Sequence, residues 1–175
     1  MTRHISLRLS LSILSLATFA LSPLRAETEL IANDRFADGG GSWILNSPRG
    51  AAASTALEQE GEEPILVVSV QNEDEKPTDV RMHRSFGDIS AGKSYTVKFK
   101  IKATSPNEIV GFIYPENEGS RILWRTVLKT DSEWREYSYT FKGKDHATNC
   151  VLGFAQLGKT SNTYSFKDIS LTESE

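Results

Sequence analysis

The chain has 175 residues, 38% of them apolar and 25% charged, enough for one buried core and too few for two. Residues 1–26 hold three of the 20 basic residues and none of the 23 acidic ones, so the formal net charge of −3 becomes −6 for the remainder. An acidic domain without a basic stripe excludes nucleic acid as an expected partner, since neutralising phosphates supplies most of that affinity. The one cysteine, Cys150, rules out an internal disulfide, and stability has to come from the core.

Residues 1–26 differ in kind from the rest. Arg3, His4 and Arg8 precede an apolar run from Leu9 to Leu21, followed by Pro23 and a small residue at Ala26. This is the three-part layout of a secretory signal peptide, and the run is too short to span a bilayer. The expectation is cleavage after Ala26, a mature domain over 27–175, and a periplasmic or secreted protein with no membrane contact once the leader is removed.

From residue 29 onward the chain reads as β. In ELIANDRFADGGGSW (29–43) an apolar start and Phe36 suggest a first strand, and the three glycines make a turn that lets Trp43 reach the core. ILVVSV (65–70) is a buried-strand run and VRMHRSF (80–86) a mixed one. The acidic tracts on either side, EQEGEEP and QNEDEKP, read as loops. SYTVKFKIKA (94–103) alternates Tyr95, Val97, Phe99 and Ile101 with Thr96, Lys98, Lys100 and Lys102. Period two with one lysine-rich face predicts an antiparallel strand wetted on one side. EIVGFIY (108–114), ILWRTVL (122–128), WREYSYTF (134–141), CVLGFAQL (150–157) and TYSFKDISL (163–171) continue the series. Gly, Pro, Asn and Asp clusters separate these strands, and no segment has a sustained helical period. The pattern predicts one all-β domain, a sandwich or barrel.

The catalytic inventory is empty. His83 and His146 have no partners at zinc-ligand spacing, and His83 reads as a surface or edge residue. No nucleophile elbow, P-loop or dinucleotide fingerprint occurs. Cys150 enters an apolar run as a small core residue rather than a nucleophile. No enzyme is expected. What remains on strands and loops is a set of aromatic and planar hydrogen-bonding side chains: Arg81, Tyr114, Arg121, Trp124, Arg125 and Gln156. Sugars offer apolar C–H faces and hydroxyl rims, which such groups can stack on and hydrogen-bond.

The order of segments resembles the carbohydrate-binding modules of the CenC-like group, families four, nine and twenty-two, over residues 29–171. The motifs that carry it are LIANDRFADGGGSW, PTDVRMHRSF, ISAGKSYTVKFKIKA, LWRTVLKTDSEWREYSYTF, QLG and YSFKDISL. The resemblance implies a jelly-roll β-sandwich of two antiparallel sheets, galactose-binding-like, that binds a polysaccharide or oligosaccharide without cleaving it, in a cleft on a concave sheet. Carried over position by position, it implies a carbohydrate site of Arg49, Arg81, Tyr114, Trp124 and Gln156, with Trp43 and Trp134 as packing residues. The same superfamily also hosts a second class, protein-interaction or envelope structural modules.

Two departures from the family pattern stand out. Thr78 occupies the place of an aromatic stacking residue. The family's structural calcium is bound through positions that here are Arg35, Gly50 and Lys167. Calcium takes several oxygen ligands, and two cations in its shell repel it. No cofactor and no metal are expected, with Arg35 and Lys167 meeting backbone carbonyls or Asp34, Asp38 or Asp168 instead.

Overall fold

The computed structural model describes residues 27–34, 36, 40, 42–48, 51–72, 79–118 and 121–174. The expected leader and the positions Arg35, Asp38, Arg49, Gly50 and Thr78 lie outside the described residues. Eleven strands are present: β1 (Thr28–Asp34), β2 (Ile44–Asn46), β3 (Ala51–Glu60), β4 (Glu63–Asn72), β5 (Arg81–Ile89), β6 (Ser94–Ala103), β7 (Asn107–Pro115), β8 (Trp124–Thr130), β9 (Arg135–Lys142), β10 (Ala147–Ala155) and β11 (Asn162–Ser174). They form two antiparallel sheets. One runs β3-β4-β11-β6-β9 with β1 also on β11, and the other runs β2-β5-β10-β7-β8. The fold is an all-β jelly-roll sandwich.

The core lies between the sheets and follows the alternation of each strand. Tyr95, Val97, Phe99 and Ile101 of β6 are at most 1% exposed. They meet Leu66, Val68 and Val70 of β4 and Cys150, Leu152 and Phe154 of β10 in one cluster. In β11 the inward residues change parity, Tyr164 and Phe166 first and then Ile169 and Leu171. A bulge between Lys167 and Ser170 makes the change, with Asp168 in the left-handed region at φ 54°. The extra residue resets the alternation, so that both halves of a 13-residue strand face the core. Trp43 is buried and stacks on Phe154 at 6.1 Å between ring centroids, reached through a turn in which Trp43 N–H donates to the Gly40 carbonyl.

Three expectations change. EQEGEEP is not a loop: β3 and β4 pair without interruption from Ala51↔Asn72 to Glu60↔Glu63, and only Gly61 and Glu62 form the turn. The Ala-rich β3 is mostly exposed, so its sequence carries no alternation, and pairing to β4 rather than propensity makes it a strand. His83 is not a surface residue but 7% exposed, on β5 between β2 and β10. The lysine face of β6 is only partly free, since Lys100 pairs with Asp168 at 2.9 Å and Lys102 with Glu60 at 2.6 Å.

Candidate functional site

The central strands of the five-stranded sheet, β7 and β10, are apolar on both sides. In β7, Ile109 and Ile113 enter the core, while Val110, Phe112 and Tyr114 point the other way. In β10, Val151 and Ala155 join that second, outward cluster. A strand wetted on one side would carry polar residues there, and these two strands depart from that pattern.

Phe112 reaches over Gly153, where a Cβ would stand 2.4 Å from Phe112 Cζ. Only glycine leaves room for the ring. Tyr114 stacks on Phe112 with centroids 5.3 Å apart and an interplanar angle of 24°. This pair, with Val110 and Ala155, forms the apolar part of a pocket of about 430 Å³, within the range of small-ligand sites. Its polar rim is Asp79, Arg81 and Gln156 together with Glu116 and Arg125, and Ile122 completes the lining.

Asp79 organises one lip. Arg81 Nε donates to Asp79 Oδ2 at 2.7 Å and its Nη2 donates to the same oxygen, while Gln156 N–H donates to Asp79 Oδ1 at 3.4 Å. The bond to Asp79 raises the Arg81 pKa above its ordinary value, against a smaller opposing effect of burial. Gln156 has φ 63°, a left-handed conformation that a non-glycine residue adopts at a cost. The bond to Asp79 and the bond from Leu157 N–H to the Val80 carbonyl hold it there. On the same face, His83 sits opposite Gly153 and Ile44, and its Nδ1 is buried without a hydrogen-bond partner. Burial pushes the imidazole pKa down, with Arg81 adding to the effect and Glu116 opposing it.

Three of the five expected site residues therefore come together: Arg81, Tyr114 and Gln156. Trp124 does not join them. It turns inward, with ring centroids 5.5 Å from Tyr139 and 6.4 Å from Phe141, because its neighbour Arg125 takes the outward position on β8. Arg49 lies outside the described residues. Arg121, also noted in the sequence, is drawn away by Glu118 at 3.0 Å and Asp145 at 3.5 Å. The sequence reading missed Asp79, Phe112, Glu116 and Ile122. The signal for Phe112 was available in EIVGFIY, where both alternating sets are apolar.

On the opposite sheet, the position matched to a calcium ligand is filled by a working cation. Lys167 Nζ bonds Glu63 Oε2 at 2.7 Å and stands 3.5 Å from Glu60 Oε2. Of the partners expected for Lys167, Asp168 is not one it meets, because the bulge hands Asp168 to Lys100. Trp134 closes the group. Its Nε1 donates to Glu60 Oε2 at 2.7 Å, and Lys102 and Lys167 stand 4.7 and 4.5 Å from its ring centroid. An ammonium so held has no lone pair to offer a divalent cation.

Fold and pocket define a jelly-roll module with a solvent-facing, aromatic-floored recess on one sheet. A family model described as "Carbohydrate binding domain" (CBM_4_9) matches residues 28–162, and the chain belongs to that family. A search of curated proteins returns no match. Among solved structures, one titled "CBM4 structure and function" is similar at 18% identity and TM-score 0.62, over 83% of this chain and 94% of that one. The family 11 carbohydrate-binding module from Clostridium thermocellum, in complex with a beta-1,3-1,4-mixed-linked tetrasaccharide, is similar at 19% identity and TM-score 0.61, over 83% and 94%. The N-terminal cellulose-binding domain of Cellulomonas fimi beta-1,4-glucanase C is similar at 21% identity and TM-score 0.59, over 88% and 97%. At these identities the likeness is one of fold.

Proposed function

We infer that the chain is a non-catalytic carbohydrate-binding domain of an exported protein, and that it takes its glycan in the pocket on the outer face of β2-β5-β10-β7-β8. The observation that carries this reading is the meeting of Arg81, Gln156 and Tyr114 over one apolar floor. Tyr114 offers a ring to a pyranose C–H face, while the Arg81 guanidinium and the Gln156 amide meet hydroxyls. No catalytic residue is assigned. Periplasmic or secreted location follows from the leader read in residues 1–26. The relatives that bind a mixed-linked tetrasaccharide or cellulose make soluble β-glucans the first ligands to try.

Affinity electrophoresis of the mature domain, residues 27–175, through gels containing mixed-linked glucan, xylan or mannan tests the reading. Retardation by at least one, lost in Tyr114→Ala, is the expected result, and no retardation by any would remove it. The second reading, a protein-interaction or envelope structural module, draws on Ile44, Ile122 and Val127, which are exposed on the same face. Calcium is not needed in either case. A rise of several degrees in melting temperature at millimolar calcium would contradict that.

A further inference from the structure

We propose, resting on the carbohydrate-binding reading, that the pocket prefers O-acetylated glycans, with the acetyl methyl seated on a row of aliphatic side chains at the Val110 end of the pocket and the ester carbonyl facing Arg125. Ala155, Val110 and Val127 are in register across β10, β7 and β8 and form one cross-strand row. Ile122 lines the same pocket at its other end, two residues before Trp124, which pairs with Ile113. Ile122 is 57% exposed and Val127 51%. These are the most exposed of the large hydrophobic side chains among the described residues, and both belong to this face.

Aromatic surface is scarce beside them. Phe112 is 7% exposed and has given one face to Tyr114, and Trp124 points into the core. One ring, Tyr114, is left to stack on a sugar. Branched aliphatic groups are poor platforms for a pyranose, because they touch few of its C–H groups and hold its hydroxyls against hydrocarbon, which costs hydration. A methyl group has no such cost and gains from apolar burial.

The neighbouring charge distribution selects the ester among methyl-bearing groups. Arg81 is bound to Asp79, whereas Arg125 makes no hydrogen bond or ion pair to the described residues. Arg125 and Val127 are two apart on β8 and share its outward face, about 7 Å from each other along the strand. An acetyl ester supplies a carbonyl acceptor for the first and a methyl for the second. The lining holds two acids and two arginines, Asp79 and Glu116 with Arg81 and Arg125, a balance that gives no advantage to a charged sugar.

The test is calorimetric titration of the mature domain with acetylated xylan or acetylated glucomannan, and with the same preparation after mild alkaline deacetylation. Deacetylation is expected to weaken binding about fourfold or more, the factor that burying one methyl-sized group gives. Val127→Thr, at an exposed position outside the pocket lining, should narrow the difference in affinity between the acetylated and deacetylated forms, and Arg125→Gln should act in the same direction. Equal affinity for both forms would overturn the proposal and leave the carbohydrate reading intact. No binding to either form, or to the neutral glucans, would remove the carbohydrate reading and the proposal with it. Preference for a 6-deoxy-sugar polysaccharide over the acetylated glycan, lost in Val127→Thr, would keep the row and overturn the ester.

Discussion

The indole of Trp124 fills the space that Gly111 leaves on the inward side of the five-stranded sheet: a Cβ on Gly111 would stand 2.9 Å from Trp124 Cη2. A tryptophan on a strand near a binding face is an obvious candidate for stacking on sugar, and here backbone geometry has assigned it to the core. Trp124 and Tyr114 should therefore part company on mutation. Trp124→Ala removes contacts to Tyr139, Phe141 and Gly111 and should cost about 3 kcal/mol, since a large aromatic deleted from a packed site leaves a cavity. In a chain of this length the melting temperature should fall roughly 6–12 °C. Tyr114→Ala should leave the melting temperature within about 4 °C and abolish retardation by glycan. Thermal melting and affinity electrophoresis on the two variants check both halves.

Gly153 guards the floor of the pocket. Besides the conflict with Phe112, a Cβ there would stand 2.7 Å from the Met82 carbonyl oxygen, which is backbone and has little freedom to move. Gly153→Ala should push Phe112 off the sheet and cost about 1–3 kcal/mol, the range for overpacking. Glycan affinity should fall together with stability. A Gly153→Ala domain with unchanged melting temperature and affinity would show that the Phe112 ring is not fixed by this glycine.

On the carbohydrate-binding reading, Asp79 should act through Arg81 and Gln156, to which it is hydrogen-bonded. The bonds lie at an exposed lip, with side-chain exposures of 45% for Asp79 and 48% for Arg81, so the pair adds little to stability. Asp79→Ala frees the guanidinium and removes the acceptor that faces Gln156 N–H. Affinity should drop on the order of tenfold, the worth of one charge-assisted hydrogen bond kept in place, while the melting temperature moves by no more than about 2 °C. Calorimetry alongside melting separates this positioning role from a structural one.

Much of this was legible in the sequence because it depends on period two. The core face of β6 follows its apolar alternation, and Gly40 and Trp43 sit in the turn and core as the opening segment suggests. Three things were not legible, each for a physical reason. β3 has no alternation and a single β-branched residue, Thr55, and exists because β4 offers it a full ladder. The burial of His83 depends on β2 and β10 closing over both sides of β5, which no local pattern encodes. The direction of Trp124 turns on whether position 124 or 125 faces the core. Both readings fit ILWRTVL, and the register with β7 decides between them.

The clasp at Trp134 ties the β3–β4 hairpin to β6 and β11 through Glu60, Lys102, Glu63 and Lys167. Hydrogen bonding from Lys102, then Trp134 and the charge of Lys167, lower the Glu60 pKa against a smaller effect of desolvation. A depressed carboxylate contributes stability above its unfolded value, 4.5, and that contribution is lost as pH falls through the lower folded value. Glu60→Gln should reduce the melting temperature slightly at neutral pH and leave it unchanged near pH 2. The size of the neutral-pH difference should shrink in high salt, because these groups are partly solvated.

Burial of the His83 imidazole links folding to pH. Burial is the main cause of its lowered pKa, so the folded state prefers the neutral ring and resists protonation, while the unfolded chain takes up a proton near 6.5. Stability is then fully present above that value. It is lost as pH falls from about 6.5 toward the lower folded pKa, and below the folded pKa the loss is complete and constant. The charged groups that act on the ring are Glu116, which follows β7, and Arg81 on β5. Melting temperatures measured from pH 8 to pH 5 should decline from about pH 6.5 in the wild type, and His83→Gln should flatten that segment of the curve. Identical pH profiles for the two would mean that the folded and unfolded states bind this proton equally, and that burial of the ring carries no acid sensitivity.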